Sequence, residues 1–289
     1  MKKEIMQNLT IATACINSRV DDIEGNLKKI EMTSLEASKR GAHILCLPEL
    51  SVTGYTLNPS PNIYRSLSQK GVEDRIEKIS RRFNILLIVG LIDYSNSSPP
   101  FITQLISYPD GAKKYYRKTH LSPLEQEAYR AGDDIEIFEF KGWKLGIELC
   151  YEAHFPEIST ILALKGVDLI FIPHASPKGT SRDKLRSWLR HLTARAFDNT
   201  VYICACNQVG ENGEGLHFPG LSLILNPTGE ILSKMETDVE RILIAPLSLK
   251  ELNELREKRM SHFLPLRRPE LYSPLIQKEK RHTYNVPFL

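Results

Sequence analysis

The chain has 289 residues, of which 42% are hydrophobic and 25% charged, and its formal net charge is +3. This length can bury the core of one large α/β domain, and the composition is that of an ordinary globular protein. The charge is spread along the chain, which argues against nucleic-acid binding, and no apolar run approaches the ~20 residues that cross a bilayer.

The first part of the chain alternates between strand and helix patterns. Ile23, Leu27 and Ile30 form the apolar stripe of a first helix, and the Pro-Asp-Gly turn at 109–111 marks a hairpin. In chain order, we predict a strand at 8–16, a helix from Asp21 or Asp22 to Ala37, a strand at 41–50, a helix at 68–83, a strand at 84–94 and a hairpin at 99–118.

The second part of the chain continues this alternation. We predict a strand pair at 134–150 turned at Gly142, a helix at 157–166, a strand at 167–174, a helix at 182–199, strands at 200–208, 220–227 and 241–248, and a helix at 248–258. Several of these strands are apolar on both faces, so helices must cover the sheets. The predicted fold is therefore an α/β sandwich in which two sheets pack face to face with helices outside.

No linker, repeat or low-complexity tract divides the sequence. Residues 1–289 are therefore predicted to form one domain, with about 262–289 as an extended C-terminal tail because that segment has prolines and little periodicity. The tail is expected to run over the body of the protein or onto a partner subunit.

The cysteines and the N-terminus indicate a reducing compartment. The start of the chain lacks the continuous apolar region of a signal peptide, so a cytoplasmic location is predicted. The number of cysteines is odd and most lie in apolar runs, which favours reduced thiols over disulfides; they are Cys15, Cys46, Cys150, Cys204 and Cys206. No set of Cys and His residues has the spacing of a zinc site, so no metal is predicted.

Three polar residues stand where predicted strands end. Glu49 follows "ILCLP", Lys118 follows "YYR" and Cys150 follows "GIEL". Sites in α/β proteins form where strand ends converge. A carboxylate can remove the thiol proton, and an ammonium favours the thiolate and stabilises an oxyanion, so the set predicts acyl-transfer chemistry.

These three segments, in this order, resemble the nitrilase superfamily of carbon–nitrogen hydrolases. The resemblance rests on Glu49 in "LPELSVTGY", Lys118 in "YRKTHL" and Cys150 in "CYEAHFPE", and it extends over nearly the whole chain. It implies a four-layer α-β-β-α sandwich, a Glu–Lys–Cys triad and a homodimer or higher homo-oligomer. It also implies that no metal or organic cofactor is needed.

The resemblance implies a covalent mechanism on a small molecule. Glu49 is the expected general base, Cys150 the nucleophile that forms a thioester, and Lys118 an oxyanion donor together with the backbone N–H of Tyr151. The family often has a second glutamate between the lysine and the cysteine. Glu125 and Glu127 both stand in that interval, and Glu125 is the predicted second glutamate.

Five further residues in or near these motifs are predicted to contact the substrate. They are Tyr55, Tyr151, Glu152, His154 and His174. Ala153 and His154 occupy the places where related carbamoylases often have two arginines that grip a free carboxylate. A simple free-amino-acid carbamoyl substrate is therefore disfavoured unless another basic residue does that work.

The nucleophile segment departs from the family in two ways. It reads Cys–Tyr–Glu, whereas many amidases have Cys–Tyr–Asp or Cys–Trp–Asp, and Cys–Trp–Glu is typical of members that hydrolyse nitriles. Glu148 replaces a small or apolar residue, and strand alternation predicts that it faces the same side as Cys150, where it contacts substrate or pairs with a cation.

Three functions follow from these patterns. The first is hydrolysis of a non-peptide C–N bond in an amide, carbamoyl or ureido compound, with release of ammonia or an amine. The second is a nitrilase that converts a nitrile to an acid and ammonia. The third is a catalytically silent binding or scaffold protein on the same fold, against which the intact Glu49, Lys118 and Cys150 argue.

Overall fold

The computed structural model of the protein describes residues 8–94 and 99–276. Within these ranges the strands are β1 (Asn8–Cys15), β2 (Ile44–Cys46), β3 (Leu86–Asp93), β4 (Phe101–Ser107), β5 (Lys113–Arg117), β6 (Phe138–Phe140), β7 (Trp143–Ile147), β8 (Leu169–Pro173), β9 (Tyr202–Cys206), β10 (Gly210–Glu211), β11 (His217–Phe218), β12 (Gly220–Leu225), β13 (Ile231–Thr237) and β14 (Arg241–Ser248). The α-helices are α1 (Ile23–Lys39), α2 (Gln69–Phe83), α3 (Pro156–Leu164), α4 (Ser181–Leu189), α5 (Leu192–Asn199), α6 (Leu249–Glu257) and α7 (Ser273–Ile276).

Two six-stranded mixed sheets form the body of the fold. The strand order is β14-β1-β2-β3-β4-β5 in the first sheet and β13-β12-β9-β8-β7-β6 in the second. In both sheets three parallel strands lie in the middle and antiparallel strands lie at the edges. Because β1 contacts both β9 and β12, the two sheets pack against each other.

Helices cover the outer faces of both sheets. On the first sheet, α1 packs on α2, which contacts β3 and β4. On the second sheet, α3 packs on α5, while α4 contacts β12 and α5 contacts β9. The predicted four-layer α-β-β-α sandwich is therefore confirmed, and its central strands end at one shared edge.

The first two helices form where the sequence predicts them. The Asp22 carboxylate accepts a hydrogen bond from the Gly25 N–H at 3.0 Å and so caps α1. The predicted apolar stripe of Ile23, Leu27 and Ile30 is buried. At the end of α2, Asn84 takes a left-handed conformation with φ of 50°, which stops the helix and starts β3.

One predicted helix is wrong, and three described strands, β10, β11 and β13, were not predicted. The single helix predicted at 182–199 is two helices, because Arg190 and His191 donate to carbonyls three residues back instead of four, which tightens the chain between α4 and α5. Strand β13 was not predicted because it is an edge strand whose side chains are mostly exposed, so it lacks a strong apolar pattern.

The described part of the C-terminal segment forms short helical turns. Residues 264–266 and 269–271 are 3-10 helices, and α7 follows. The Phe263 ring lies 5.6 Å from the Phe197 ring of α5, so the segment is attached to the second sheet's helical layer. The rest of the predicted tail, 277–289, lies outside the described residues. No helix in the described ranges is both long enough and apolar enough to span a bilayer.

Candidate active site

Glu49 lies in a tight turn directly after β2. The next residue, Leu50, has φ of 53°, a left-handed conformation that costs a non-glycine residue about 1–2 kcal/mol. Gln208 holds the turn, since its side-chain N–H donates to the Glu49 carbonyl at 2.9 Å. Gly90 of β3 lies underneath, where an added Cβ would come within 2.1 Å of the Leu50 nitrogen. The backbone around Glu49 is therefore fixed by close packing.

Cys150 lies in a second sharp turn, after β7. Its own φ is 47°, and it begins the 3-10 helix Cys150–His154. Strained conformations of this kind persist where the surrounding structure determines them, and they are common at functional sites. The other four cysteines are buried, whereas the Cys150 residue is partly exposed. The turn therefore presents this thiol at the end of the second sheet.

Lys118 follows β5 and is fully buried between two carboxylates. Its ammonium donates to Glu49 Oε1 at 2.7 Å and to Glu125 Oε1 at 2.9 Å. The Ala175 N–H, which follows β8 in the second sheet, donates to the other Glu49 oxygen at 3.1 Å. Burying charged groups costs free energy of desolvation. Hydrogen bonds from one ammonium to two carboxylates offset that cost here.

The pKa values in this cluster are mutually dependent. Burial raises the pKa of Glu49 to about 7, against the lowering effect of the Lys118 ammonium. Burial alone lowers the pKa of Lys118, but Glu49, Glu125 and Cys150 outweigh it and raise that pKa. Burial, followed by Glu49, raises the pKa of the Cys150 thiol, while Lys118 opposes the shift. The resting site therefore holds a protonated thiol beside a carboxyl that changes charge near neutrality.

The structure brings Glu125, and not Glu127, to this cluster. Glu125 is buried; one carboxylate oxygen accepts from Lys118, and the other accepts from the Ser122 N–H at 2.8 Å. The Tyr55 hydroxyl donates to it at 3.3 Å. Glu127 is exposed and faces a different depression of the surface.

A cavity of about 230 Å³ opens in front of Cys150. This volume lies below the range of about 300–1,000 Å³ that is usual for drug-sized ligands, so it suits a small molecule. Four of the five predicted substrate contacts line it, and Glu152 does not. The lining consists of Tyr55, Ser122, Glu125, Cys150, Tyr151, His154, His174, Ala175, Ser176, Pro177, Lys184, Ser187, Trp188 and His191.

Glu152 is buried behind the nucleophile turn, so the structure gives it a different place from the predicted substrate contact. Its carboxylate accepts from the Thr119 N–H at 2.7 Å, the Leu149 N–H at 2.6 Å and the Tyr116 hydroxyl at 2.9 Å. These donors belong to the Lys118 segment and the Cys150 segment. Glu152 therefore ties the two chain segments together, and it has no free face toward the cavity.

The three histidines of the cavity wall are held neutral. Burial lowers the pKa of His174 well below its usual value, and its ring stacks on Trp188 at 4.2 Å. Burial lowers the pKa of His191 to about 4 and also lowers that of His154. The His154 and His191 rings lie 4.7 Å apart. Neutral imidazoles offer both donors and acceptors to a ligand without adding charge.

The prediction that Glu148 faces the same side as Cys150 is wrong. Its carboxylate accepts from the Ser159 hydroxyl of α3 at 2.5 Å, and it does not line the cavity. Strand alternation fails here because β7 ends at Ile147 and the chain turns at Cys150. Burial raises the pKa of Glu148 to about 8, with Arg195 acting to lower it.

Several side chains that line or shape the cavity were not predicted from the sequence, among them His191, Lys184 and Asn207. Lys184 reaches the cavity from α4, although in the sequence it is one basic residue among several on a helix. Asn207 accepts from the Ser176 N–H at 2.8 Å and so shapes the cavity wall. The position of Asn207 directly after β9, in "CNQVG", was the available signal.

Within the described residues, no group of three or more His, Cys, Asp or Glu side chains is arranged to hold a metal ion.

The sequence resembles a known family of hydrolases and several of its members. The sequence model of the carbon–nitrogen hydrolase family matches residues 10–257. The chain is 30% identical to the omega-amidase YafV of Escherichia coli over 75% of this chain and 82% of the relative. It is 28% identical to a nitrilase of Pyrococcus abyssi over 91% of this chain and 98% of that protein.

A solved structure has the same fold. It is a variant of the amidase from Nesterenkonia sp. AN1 that shows acrylamide added at its active-site cysteine. The TM-score is 0.78 at 25% identity, and the match covers 93% of this chain and 100% of the other. The chain belongs to the carbon–nitrogen hydrolase family, and it is an amidase-like member of the nitrilase superfamily.

Proposed function

We propose that this enzyme hydrolyses the C–N bond of a small primary amide through a thioester on Cys150. The observation that carries the proposal is the buried cluster in which Lys118 joins Glu49 and Glu125 beside the Cys150 thiol, with Glu125 and Cys150 lining the cavity. The cluster contains a base, an oxyanion donor and a nucleophile, which are the groups that acyl transfer needs.

Acylation begins with proton transfer from the Cys150 thiol to Glu49. The thiolate attacks the amide carbon, and the negative charge on the former carbonyl oxygen is held by the Lys118 ammonium and the Tyr151 N–H. The C–N bond then breaks, and the proton on Glu49 passes to the nitrogen, which leaves as ammonia. Losing one oxyanion donor costs about 10²–10³ in rate.

Deacylation uses the same groups in reverse order. Glu49, again ionised, removes a proton from water, and the hydroxide attacks the thioester carbon. Lys118 and the Tyr151 N–H hold the second oxyanion. The C–S bond breaks, the thiolate regains a proton through Glu49, and the acid leaves. A carboxyl pKa of about 7 suits both directions of this transfer near neutral pH.

Glu125 is proposed to position the other groups and the amide. It accepts one of the Lys118 hydrogen bonds, which fixes the ammonium, and it lines the cavity, where it can accept from the substrate's amide N–H₂. Tyr55, Tyr151, His154 and His174 also line the cavity and are proposed to contact the acyl part of the substrate.

A nitrile is the second candidate substrate. Glu152, the residue that this chain shares with the Cys–Trp–Glu sequence of nitrile-hydrolysing members, and the nitrilase of Pyrococcus abyssi among the relatives favour this reading. Ammonia release should be measured with matched pairs of amides and nitriles of the same carbon chain. Faster release from the nitrile would assign the enzyme to the second class.

The central test is covalent labelling and turnover with wild type beside Cys150→Ala. Wild type should release ammonia from small amides, and the variant should not. Acrylamide should add once, at Cys150, as measured by peptide mass mapping. The four buried cysteines serve as internal controls and should remain unmodified. A Cys150→Ala variant that keeps its activity would exclude this mechanism.

We also propose a cytoplasmic homodimer. The five cysteines are free thiols, as is usual in a reducing compartment. Phe197, whose ring lies against Phe263 of the C-terminal segment, is 44% exposed, and Leu164 of α3 is 54% exposed. Light scattering after gel filtration would measure the mass, and a monomer at micromolar concentration would contradict the dimer.

A further inference from the structure

Lys184 reaches the cavity from α4 and lines its wall together with Cys150 and Trp188. Helix α4 begins with a capping box in which Thr180 and Asp183 bond each other's backbone and side chain, so the first turn is rigid. Lys184 follows directly, and its ammonium donates to Ser176 Oγ at 2.5 Å and to the Pro177 carbonyl at 2.9 Å. A lysine ammonium has three donors, so one N–H remains for a ligand.

The charge of this ammonium is not balanced by its protein partners. Both acceptors are neutral oxygens, and among the described residues that line the cavity Lys184 is the one lysine or arginine. The single carboxylate in that lining is Glu125, which is bonded to Lys118. Burial lowers the pKa of Lys184, Cys150 acts to raise it, and Lys178 lowers it further. An anion placed against the ammonium would offset this desolvation.

The chemistry of the reaction decides which part of the substrate can reach Lys184. In the proposed mechanism the amide nitrogen must face Glu49, and it leaves as ammonia. The rest of the cavity therefore holds the acyl part of the substrate. Residues 153 and 154, where related carbamoylases place arginines, are a buried alanine and a neutral histidine here. Of the described residues that line the cavity, Lys184 is therefore the cation available to that acyl part.

We infer that Lys184 is the specificity-determining residue of this site and that it binds a carboxylate at the far end of an amide substrate. The inference rests on the proposed amide hydrolysis and adds the substrate class, the monoamides of short dicarboxylic acids. Lys184 takes no part in bond making or breaking. Its third N–H and its charge select the substrate.

A purely structural role is the competing explanation, because Lys184 also fastens the Ser176–Pro177 loop to α4. The two roles differ in their dependence on substrate charge. Loss of a loop fastening would impair all amides alike. Loss of a charge-assisted hydrogen bond lowers kcat/KM by about 10- to 100-fold for the anionic amide, mainly through KM, and by much less for a neutral one.

The experiment compares a dicarboxylic monoamide with a neutral amide of the same chain length. Wild type should prefer the monoamide, Lys184→Ala should lose that preference, and Lys184→Arg should keep part of it. Lys184→Glu should shift the preference toward an amide that carries an ammonium. Arg186→Ala is the matched control, because it removes a charge from the exposed face of the same helix and should leave the preference intact.

Binding provides a second readout that does not depend on turnover. In the Cys150→Ala background, calorimetry should detect the dicarboxylate product, and adding Lys184→Ala should weaken it about 10-fold or more. Equal losses for anionic and neutral amides, or wild type without a preference, would overturn the inference while leaving amide hydrolysis in place. A wild type that hydrolyses no amide would instead refute the proposed function.

Discussion

Replacing Lys118 with methionine tests the buried charge cluster most directly. The substitution keeps the unbranched side chain up to the ε position but removes an ammonium that donates to Glu49 and Glu125 at 2.7 and 2.9 Å. All three side chains are nearly inaccessible to water. Two carboxylates would then share a buried site without a cation, so activity should be lost.

Stability should fall as well, and the fall should depend on pH. Removing one partner of a buried ion pair costs about 3–5 kcal/mol, which lowers the melting temperature on the order of 10 °C. Without Lys118 the folded pKa of Glu49 rises further above its unfolded value. A group whose pKa is raised on folding loses its contribution to stability as the pH rises. The deficit should therefore be larger at pH 9 than at pH 5.

Denaturant unfolding at the two pH values measures this effect, and Lys113→Met is the matched control. Lys113 also bridges two carboxylates, Asp74 and Glu77, at 3.2 and 3.1 Å, but it does so at the partly exposed surface. Its loss should cost about 0–1 kcal/mol. If Lys118→Met were as stable as Lys113→Met at pH 9, the reasoning about the buried cluster would be refuted.

Three further predictions follow from named contacts. Because Glu49, with a pKa of about 7, acts as base only when ionised, kcat/KM should fall about tenfold per pH unit below that value, and a flat profile would exclude this role. Glu148→Gln should stabilise the protein by about 2–4 kcal/mol at pH 9 and little at pH 4. The reason is that the buried wild-type carboxyl, with a pKa of about 8, ionises as the pH rises and then destabilises the folded state. Denaturant unfolding at both pH values measures the difference. Gly90→Ala should destabilise the fold by about 1–3 kcal/mol and lower kcat, because its Cβ would meet the backbone of Leu50 at 2.1 Å; an unchanged kcat would contradict the close packing beneath Glu49.

The sequence predicts much of the fold because its central strands are apolar on both faces and its first helices carry clear caps. Leu86–Asp93 is buried at every position, and such a run is hard to mistake. The break between α4 and α5 could not be predicted, since both halves carry helical patterns and only tertiary packing decides where the chain tightens. The exposed strand β13 gave no comparable signal.

The candidate site likewise contains residues that the sequence predicts and residues whose place depends on local turns and tertiary packing. Glu49, Lys118 and Cys150 stand in motifs at strand ends, so the sequence alone predicts that they converge at one edge of the sheets. Glu152 belongs to the same motif as Cys150, but its direction depends on a 3-10 turn, and the turn sends it away from the cavity. Lys184 lies on a helix with several basic residues, and only the packing of α4 distinguishes it from its neighbours.

The proposed base and the proposed nucleophile come from different sheets. Glu49 follows β2 of the first sheet, and Cys150 follows β7 of the second. Glu152 links both halves through Thr119 and Leu149. Neither half of the chain can therefore possess a working nucleophile by itself, and a species in which only one sheet has formed would be inert. Enzymatic turnover thus serves as a stringent reporter of complete docking, and inactivation by denaturant should coincide with the loss of tertiary structure.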